Sequence, residues 1–234
     1  MNKTEPIISV VIPAHNEEAS IALVVGDVPS MVNEVVVVDN ASNDQTAQNA
    51  QKAGATVLKE HRMGYGHACL KGIDYLEKST QKPDIIVFLD GDYSDYPEEL
   101  SKIVDPIITG QTDLVIGARV KQLREKGSMT PQQVFGNRLA TLLMRWLYGS
   151  QFTDLGPFRA IRFDTFQAME MEDKTYGWTV EMQLKALRMK LNYTEVPVRY
   201  RNRIGHSKVS GTVKGTVMAG IKIIGWIIQY GFRK

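Results

Sequence analysis

Asp90 and Asp92, in the stretch "IIVFLDGDYSDYP", stand one residue apart at the end of an apolar run. Two carboxylates at that spacing can ligate one hard divalent cation directly, or one ligates while the other binds through water. The open coordination positions then go to the oxygens of a ligand phosphate. No other stretch of the chain reads as a dedicated metal cage, so a cation held here is expected to arrive with a diphosphate. The competing reading is a surface turn in which Asp92 or Asp95 caps the local backbone.

Two further stretches carry polar groups that belong with this pair. In "VVIPAHNEE", Pro13 and Ala14 end an apolar run and Asn16 and Glu17 open the next segment. In "VVVVDNASNDQT", Asp39 ends another. A carboxylate at such a place can accept hydrogen bonds from a nucleobase N–H or from ribose hydroxyls. Asp44 with Thr46 reads instead as helix capping. "RMGYGHACLKG" has Gly64 and Gly66 leading into a helix, where backbone amides could approach an anion. It is not the dinucleotide fingerprint, because Cys69 stands where the third glycine belongs. The signatures G-x-x-x-x-G-K-[ST] and G-x-S-x-G are absent, which weakens kinase and hydrolase readings.

Positioning these residues requires a sheet whose strand ends share an edge. The run Ile85 to Leu89 lacks polar alternation, as a strand covered on both faces does. Strand-like patterns at 7–12, 35–39, 57–58 and 85–89 alternate with helix-like ones at 17–28, 44–53 and 66–78. That alternation predicts an α/β fold, a mostly parallel sheet with helices on both faces and ligands at the carboxyl ends of its strands. Pro97 opens another helix and residues 113–117 another strand. Residues 120–133 are polar, contain Gly127 and Pro131, and read as a mobile loop. Residues 137–149 form an amphipathic helix with Leu139, Leu142, Leu143, Trp146 and Leu147 as its apolar face. Residues 176–190 form another, whose opening cluster of Trp178, Thr179 and Glu181 faces a second-substrate pocket or else supplies a core tryptophan and a dipole-favoured carboxylate.

The 234 residues suffice for one large domain, at 43% hydrophobic and 23% charged. A lone cysteine excludes an intramolecular disulfide and a cysteine-based zinc site. The N-terminus lacks the shape of a signal peptide, and a cytoplasmic location is expected. The net charge of +2 conceals an uneven distribution: residues 199–234 hold eight Lys or Arg and no acid, leaving 20 basic against 26 acidic residues before them. The basic end reads as a phosphate or anionic-surface binder, with nucleic acid the generic rival, though not an expected partner. Residues 217–232 are apolar nearly all round but shorter than the roughly 20 residues a spanning helix needs. The predicted organisation is a domain over 1–205 and a basic, apolar helix over 206–234. That helix lies on the cytoplasmic face of a membrane or packs in a protein interface, a homodimer included.

As an ordered set, "VVIPAHNEE", the Asp39 loop, "RMGYGHA", "DGD", "DLVIGAR" and "FTDLGPFRAIR" resemble the family 2 glycosyltransferases, whose catalytic domain is the Rossmann-like GT-A fold. "EVPVRYRNRIGHSKVSGT" resembles the sub-group that glycosylates polyprenyl phosphates. The resemblance implies that Pro13, Ala14, Glu17 and Asp39, with Gly64 and Gly91, hold a UDP or GDP sugar. It implies that Asp90 and Asp92 work with Mg2+ or Mn2+ at the diphosphate, that Arg119 faces the acceptor, and that Arg203, Ser207 and Lys208 bind the acceptor phosphate. Asn40 stands where many relatives carry a second aspartate. The implied reaction is inverting transfer of glucose or mannose to a polyprenyl phosphate, an acceptor already ionised at neutral pH. The first alternative is transfer to a hydroxyl, with Asp154 taking the proton. Another is a non-catalytic nucleotide-sugar or nucleic-acid binding module.

Overall fold

A computed structural model describes residues 5–205 and 213–232. Its centre is a seven-stranded sheet formed by β1 (Ile8–Ala14), β2 (Glu34–Asp39), β3 (Thr56–Lys59), β4 (Ile85–Phe88), β5 (Leu114–Ala118), β6 (Arg159–Arg162) and β7 (Tyr193–Pro197), in the order β3-β2-β1-β4-β6-β5-β7. All pairings are parallel except those of β6, which runs antiparallel to both β4 and β5. Successive residues of the central strands feed opposite cores: Val11, Val36, Ile86 and Phe88 pack on one face, Val10, Ile12, Val37 and Val87 on the other. This two-sided burial is why the strands show no polar alternation.

The first half of the sheet is built through α1 (Ile21–Gly26), α2 (Thr46–Lys52) and α3 (Tyr65–Glu77). Pro97 opens a 3-10 turn, Pro97–Glu99, that runs into α4 (Leu100–Ile108). Beyond α4 the chain continues through α5 (Pro131–Tyr148), α6 (Phe163–Met169) and α7 (Trp178–Arg188) to α8 (Val213–Phe232).

Two expectations for the region after β5 need correction. The segment 120–133 is not loop throughout: Lys121–Leu123 form a 3-10 turn, and α5 already begins at Pro131. Thr130 and Gln133 form a reciprocal capping box there with Pro131 in the first turn, a start signal present in "TPQQ". Of the expected apolar face of α5 only Leu143 packs on the core, beside the buried Ala140 and Met144 and the half-buried Tyr148, while Leu142, Trp146 and Leu147 are exposed. Phe135, Leu142 and Trp146 stand 68%, 56% and 80% exposed.

α8 packs against α5 and α7. Ile227 and Tyr230 are buried, and the Tyr148 hydroxyl donates to the Ile227 carbonyl. Met218, Ile221 and Ile228 face outward. No helix among the described residues is long and apolar enough to cross a membrane.

Candidate active site

Strand register assembles the site. Ala14 pairs with Asp39 across β1 and β2, Val11 pairs with Phe88 across β1 and β4, and the Leu89 amide continues the ladder to the Val11 carbonyl at 3.3 Å. The carboxyl ends of the three strands therefore open on one edge, beneath a cleft of about 1070 Å³. Pro13, Ala14, Glu17, Gly64, Asp90, Gly91, Asp92, Arg119, Trp178 and Arg203 all line it. Each strand-end loop contains a non-glycine residue with left-handed backbone: Asn16 at φ 53°, Ala41 at φ 57° and Tyr93 at φ 61°. Such conformations persist where the surroundings over-determine them, commonly at functional sites.

At the floor, the Tyr65 hydroxyl donates to Asp90 at 3.0 Å. Burial, and then the charge of Asp92, push the Asp90 carboxyl up to about 6. One Asp92 oxygen accepts from the Ser94 amide at 2.9 Å and hydroxyl at 2.6 Å, and the other pairs with Arg203 at 2.8 Å. The local-cap reading of Asp92 is thus realised on one oxygen only. Ser20 fastens the loop from below, its hydroxyl donating to the Gly91 carbonyl at 2.8 Å. Asp95 is buried with neither oxygen hydrogen-bonded, and burial followed by the charges of Asp90 and Asp92 holds its pKa well above the carboxylate range.

The aspartate pair fits a hard divalent cation: its donors are carboxylate oxygens, and Asp90 is a buried like-charge neighbour that a cation would keep ionised. No group of three or more His, Cys, Asp or Glu side chains among the described residues could hold a metal. Two carboxylates would be the protein's share, and ligand phosphate oxygens would complete the sphere.

Arg119 follows β5 and pairs with Asp154. Its Nε and backbone amide donate to one Asp154 oxygen at 2.9 and 2.7 Å, and a terminal nitrogen reaches the other at 2.7 Å. Burial raises the carboxyl pKa, but Arg119 outweighs it and holds Asp154 below its ordinary value. Glu195 supports the turn by accepting from the Thr153 and Asp154 amides at 2.7 and 3.1 Å.

Asn40, beside Asp39, is a tether invisible in the sequence. Its amide nitrogen donates to the carbonyls of Glu60 at 3.1 Å and Arg62 at 2.8 Å, and its oxygen accepts the Gly64 amide at 2.8 Å. An aspartate could not make the two donations, which accounts for the amide here. Asp39 itself is 7% exposed and accepts from the Ser42 amide at 3.1 Å. Asp44 accepts from the Thr46 amide and hydroxyl, in keeping with a capping role.

At the start of α3, where backbone amides are expected to meet an anion, the Gly64 amide is taken by Asn40. The His67 amide donates to the Lys174 carbonyl at 3.1 Å. A Cβ on Gly64 would lie 2.2 Å from that carbonyl oxygen, and one on Gly66 2.1 Å from the Asp173 oxygen. These glycines admit another stretch of backbone. Asp173 in that stretch accepts from Trp226 and Lys222 of α8, both at 2.8 Å, so the helix is fastened to the segment over the cleft. Gly220, Ile223 and Ile224 of α8 line the cleft wall.

Trp178 is 1% exposed and packs on Phe88 and Phe166, forming part of the cleft floor from within the core. Glu181 does not face the cleft. Wholly buried, it accepts the amides of Glu172 and Asp173 at 2.7 and 2.8 Å and pairs with Lys185 at 3.0 Å. Its role is to fasten the 172–173 turn, so the expected place in a second-substrate pocket does not hold for this carboxylate. Ser207 and Lys208 lie outside the described residues.

A family model described as glycosyl transferase family 2 matches residues 9–169. The chain belongs to glycosyl transferase family 2. This family 2 glycosyltransferase is 32% identical over 225 residues to the undecaprenyl-phosphate mannosyltransferase of Micrococcus luteus, with 90% of each chain covered. It is equally 32% identical to the dolichyl-phosphate hexose transferase of Haloferax volcanii, again over 90% of each chain. In fold it resembles glucosyl-3-phosphoglycerate synthase from Mycobacterium tuberculosis, solved with Mn2+, UDP and phosphoglyceric acid. The TM-score is 0.78 at 21% identity, covering 98% of this chain and 80% of that one. The mostly parallel sheet is thus the GT-A fold. Membership makes the chain an enzyme and disposes of the non-catalytic binding module.

Proposed function

We propose that this glycosyltransferase moves a hexose, glucose or mannose, from UDP or GDP to the phosphate of a polyprenyl phosphate, inverting the anomeric carbon. The observation that carries the acceptor is the Arg119–Asp154 pair. Both oxygens of Asp154 are engaged by Arg119, and its pKa is held low. A carboxylate so committed is a poor proton acceptor. A phosphate monoester needs none, because its second pKa of about 6 leaves it a dianion at neutral pH. The names of the Micrococcus and Haloferax relatives support the same acceptor class.

In this reading Pro13, Ala14, Glu17 and Asp39 surround the nucleoside, and Asp90 and Asp92 would hold Mg2+ or Mn2+. The cation would offset the negative charge that grows on the leaving diphosphate. An oxygen of the acceptor phosphate attacks C1 from the face opposite the diphosphate. The C1–O bond breaks with its electron pair passing to the diphosphate oxygen, and no proton changes place. Arg119, held in place by Asp154, meets the incoming phosphate, and Arg203, expected from the sequence on the acceptor phosphate, is drawn by its pairing with Asp92 toward the departing diphosphate instead. The outward Met218, Ile221 and Ile228 of α8 support peripheral attachment to the cytoplasmic face of a membrane.

The test is a transfer assay with purified protein, Mn2+ and a panel of UDP and GDP sugars, with and without polyprenyl phosphate in detergent. Nucleotide release that requires the lipid phosphate and disappears in Asp92→Asn is the expected result. Lipid-independent transfer to a saccharide hydroxyl would overturn the acceptor assignment.

A further inference from the structure

A second cavity, of about 330 Å³, adjoins the main cleft and shares Arg119, Met129 and Asn137 with it. It contains neither aspartate of the DGD segment. Arg124 enters it from the turn after β5, and Arg138 and Arg145 enter it from one face of α5, with Leu142 between them. Its only carboxylate is Asp154, which is spent on Arg119. Arg124 has a thioether contact with Met129 at 2.9 Å and no acid partner among the described residues. The guanidinium groups of Arg138 and Arg145 likewise have no ion pair or hydrogen bond among the described residues. Three guanidinium groups around one small cavity repel one another, and the field they focus into it attracts an anion. Planar guanidinium forks suit the oxygens of a phosphate group, and Val134 and Leu142 in the same lining provide an apolar border for an alkyl chain.

We propose that this arginine pocket is a phosphoester-binding subsite on the acceptor side, separate from the diphosphate contacts of Asp92 and Arg203. Its ligand is the phosphate of an amphiphile. Two sources share that chemistry: the polyprenyl phosphate itself, which rests on the function proposed above, and the headgroup of a neighbouring anionic phospholipid, which does not.

The experiment compares the whole protein with Arg138→Gln/Arg145→Gln, using farnesyl phosphate as one probe and phosphatidylcholine vesicles with or without phosphatidylglycerol as the other. Loss of about tenfold in affinity per arginine is expected for at least one probe. Loss confined to farnesyl phosphate assigns the pocket to the acceptor, and loss confined to phosphatidylglycerol vesicles assigns it to membrane lipid. Arg138→Lys/Arg145→Lys should recover part of the binding. Arg145→Gln alone, at an exposed position with no hydrogen bond to lose, gives the same reading should the double variant melt early. Unchanged binding of both probes overturns the proposal. Arginine-dependent probe binding by a wild-type protein that transfers no sugar to polyprenyl phosphate would defeat the acceptor reading and still support the pocket.

Discussion

Arg119 closes on Asp154 with three donors, its backbone amide and two guanidinium nitrogens, all within 2.9 Å. Both side chains are largely buried, 11% and 6% exposed. The carboxylate thus aims a cation into the cleft, and the geometry leaves its own oxygens occupied.

Replacing Asp154 by Asn strands a buried guanidinium. Breaking such a pair costs about 3–5 kcal/mol, so a clear fall in melting temperature is expected. Transfer should weaken without vanishing. A proton-accepting role would instead remove it entirely in protein that remains folded, a difference a transfer assay reads directly.

The same pair sets a pH dependence for stability. Asp154 is depressed in the folded state, so the unfolded chain binds the proton more readily. Its contribution is fully present above the ordinary aspartate value near 3.8 and is lost as pH falls through the lower folded value. Urea midpoints measured from neutral pH down to about pH 3 should fall on the acid side in the wild type. In Asp154→Asn this part of the decline should be missing.

Removing the cation should abolish transfer, and Mg2+ or Mn2+ should restore it. Asp90→Asn and Asp92→Asn should each lower kcat by at least about a hundredfold, the scale for deleting one group that stabilises transition-state charge. Calorimetric titration with UDP or GDP should show nucleotide affinity losing its dependence on Mn2+ in both variants.

Asn40→Asp turns two donations into a carboxylate facing two carbonyl oxygens. Leaving buried polar groups unmatched costs about 1–3 kcal/mol each, so thermal melting should show a loss of that order or more. Because Asn40 anchors the Gly64 loop, nucleotide affinity should drop as well.

Gly66→Ala places a methyl carbon 2.1 Å from the Asp173 carbonyl oxygen. One backbone segment has to move, at about 1–3 kcal/mol by the usual penalty for overpacking. A urea titration provides the measure, and Gly220→Ala, with open space around its Cβ position, is the matched control.

The first half of the fold is legible in the sequence because β1, β2 and β4 are short, largely apolar runs and the connections between its strands carry helices. β6 is not, since "RAIR" begins and ends with arginine. Arg159 is nonetheless fully buried, its guanidinium spent on the carbonyls of Leu155, Gly156 and Thr179. The aspartates and the strand-end loops are readable from spacing, because register alone brings them together. Tyr65, Asn40 and Asp173 are not, because their roles depend on partners 20 or more residues away. Glu181 shows the converse: it has the right type and helix position for a pocket residue, but its side chain turns inward to fix a neighbouring turn.

β6 lies between the strand that ends in the aspartate pair and the strand that ends in Arg119. Strands in a sheet sit about 4.8 Å apart, so roughly 10 Å separates β4 from β5 whatever the side chains do. In the proposed reaction the sheet is therefore a ruler laid between the group that leaves and the group that arrives. Its length is set by backbone hydrogen bonds that no surface substitution alters, so the span across which a sugar can be handed over is a property of the architecture.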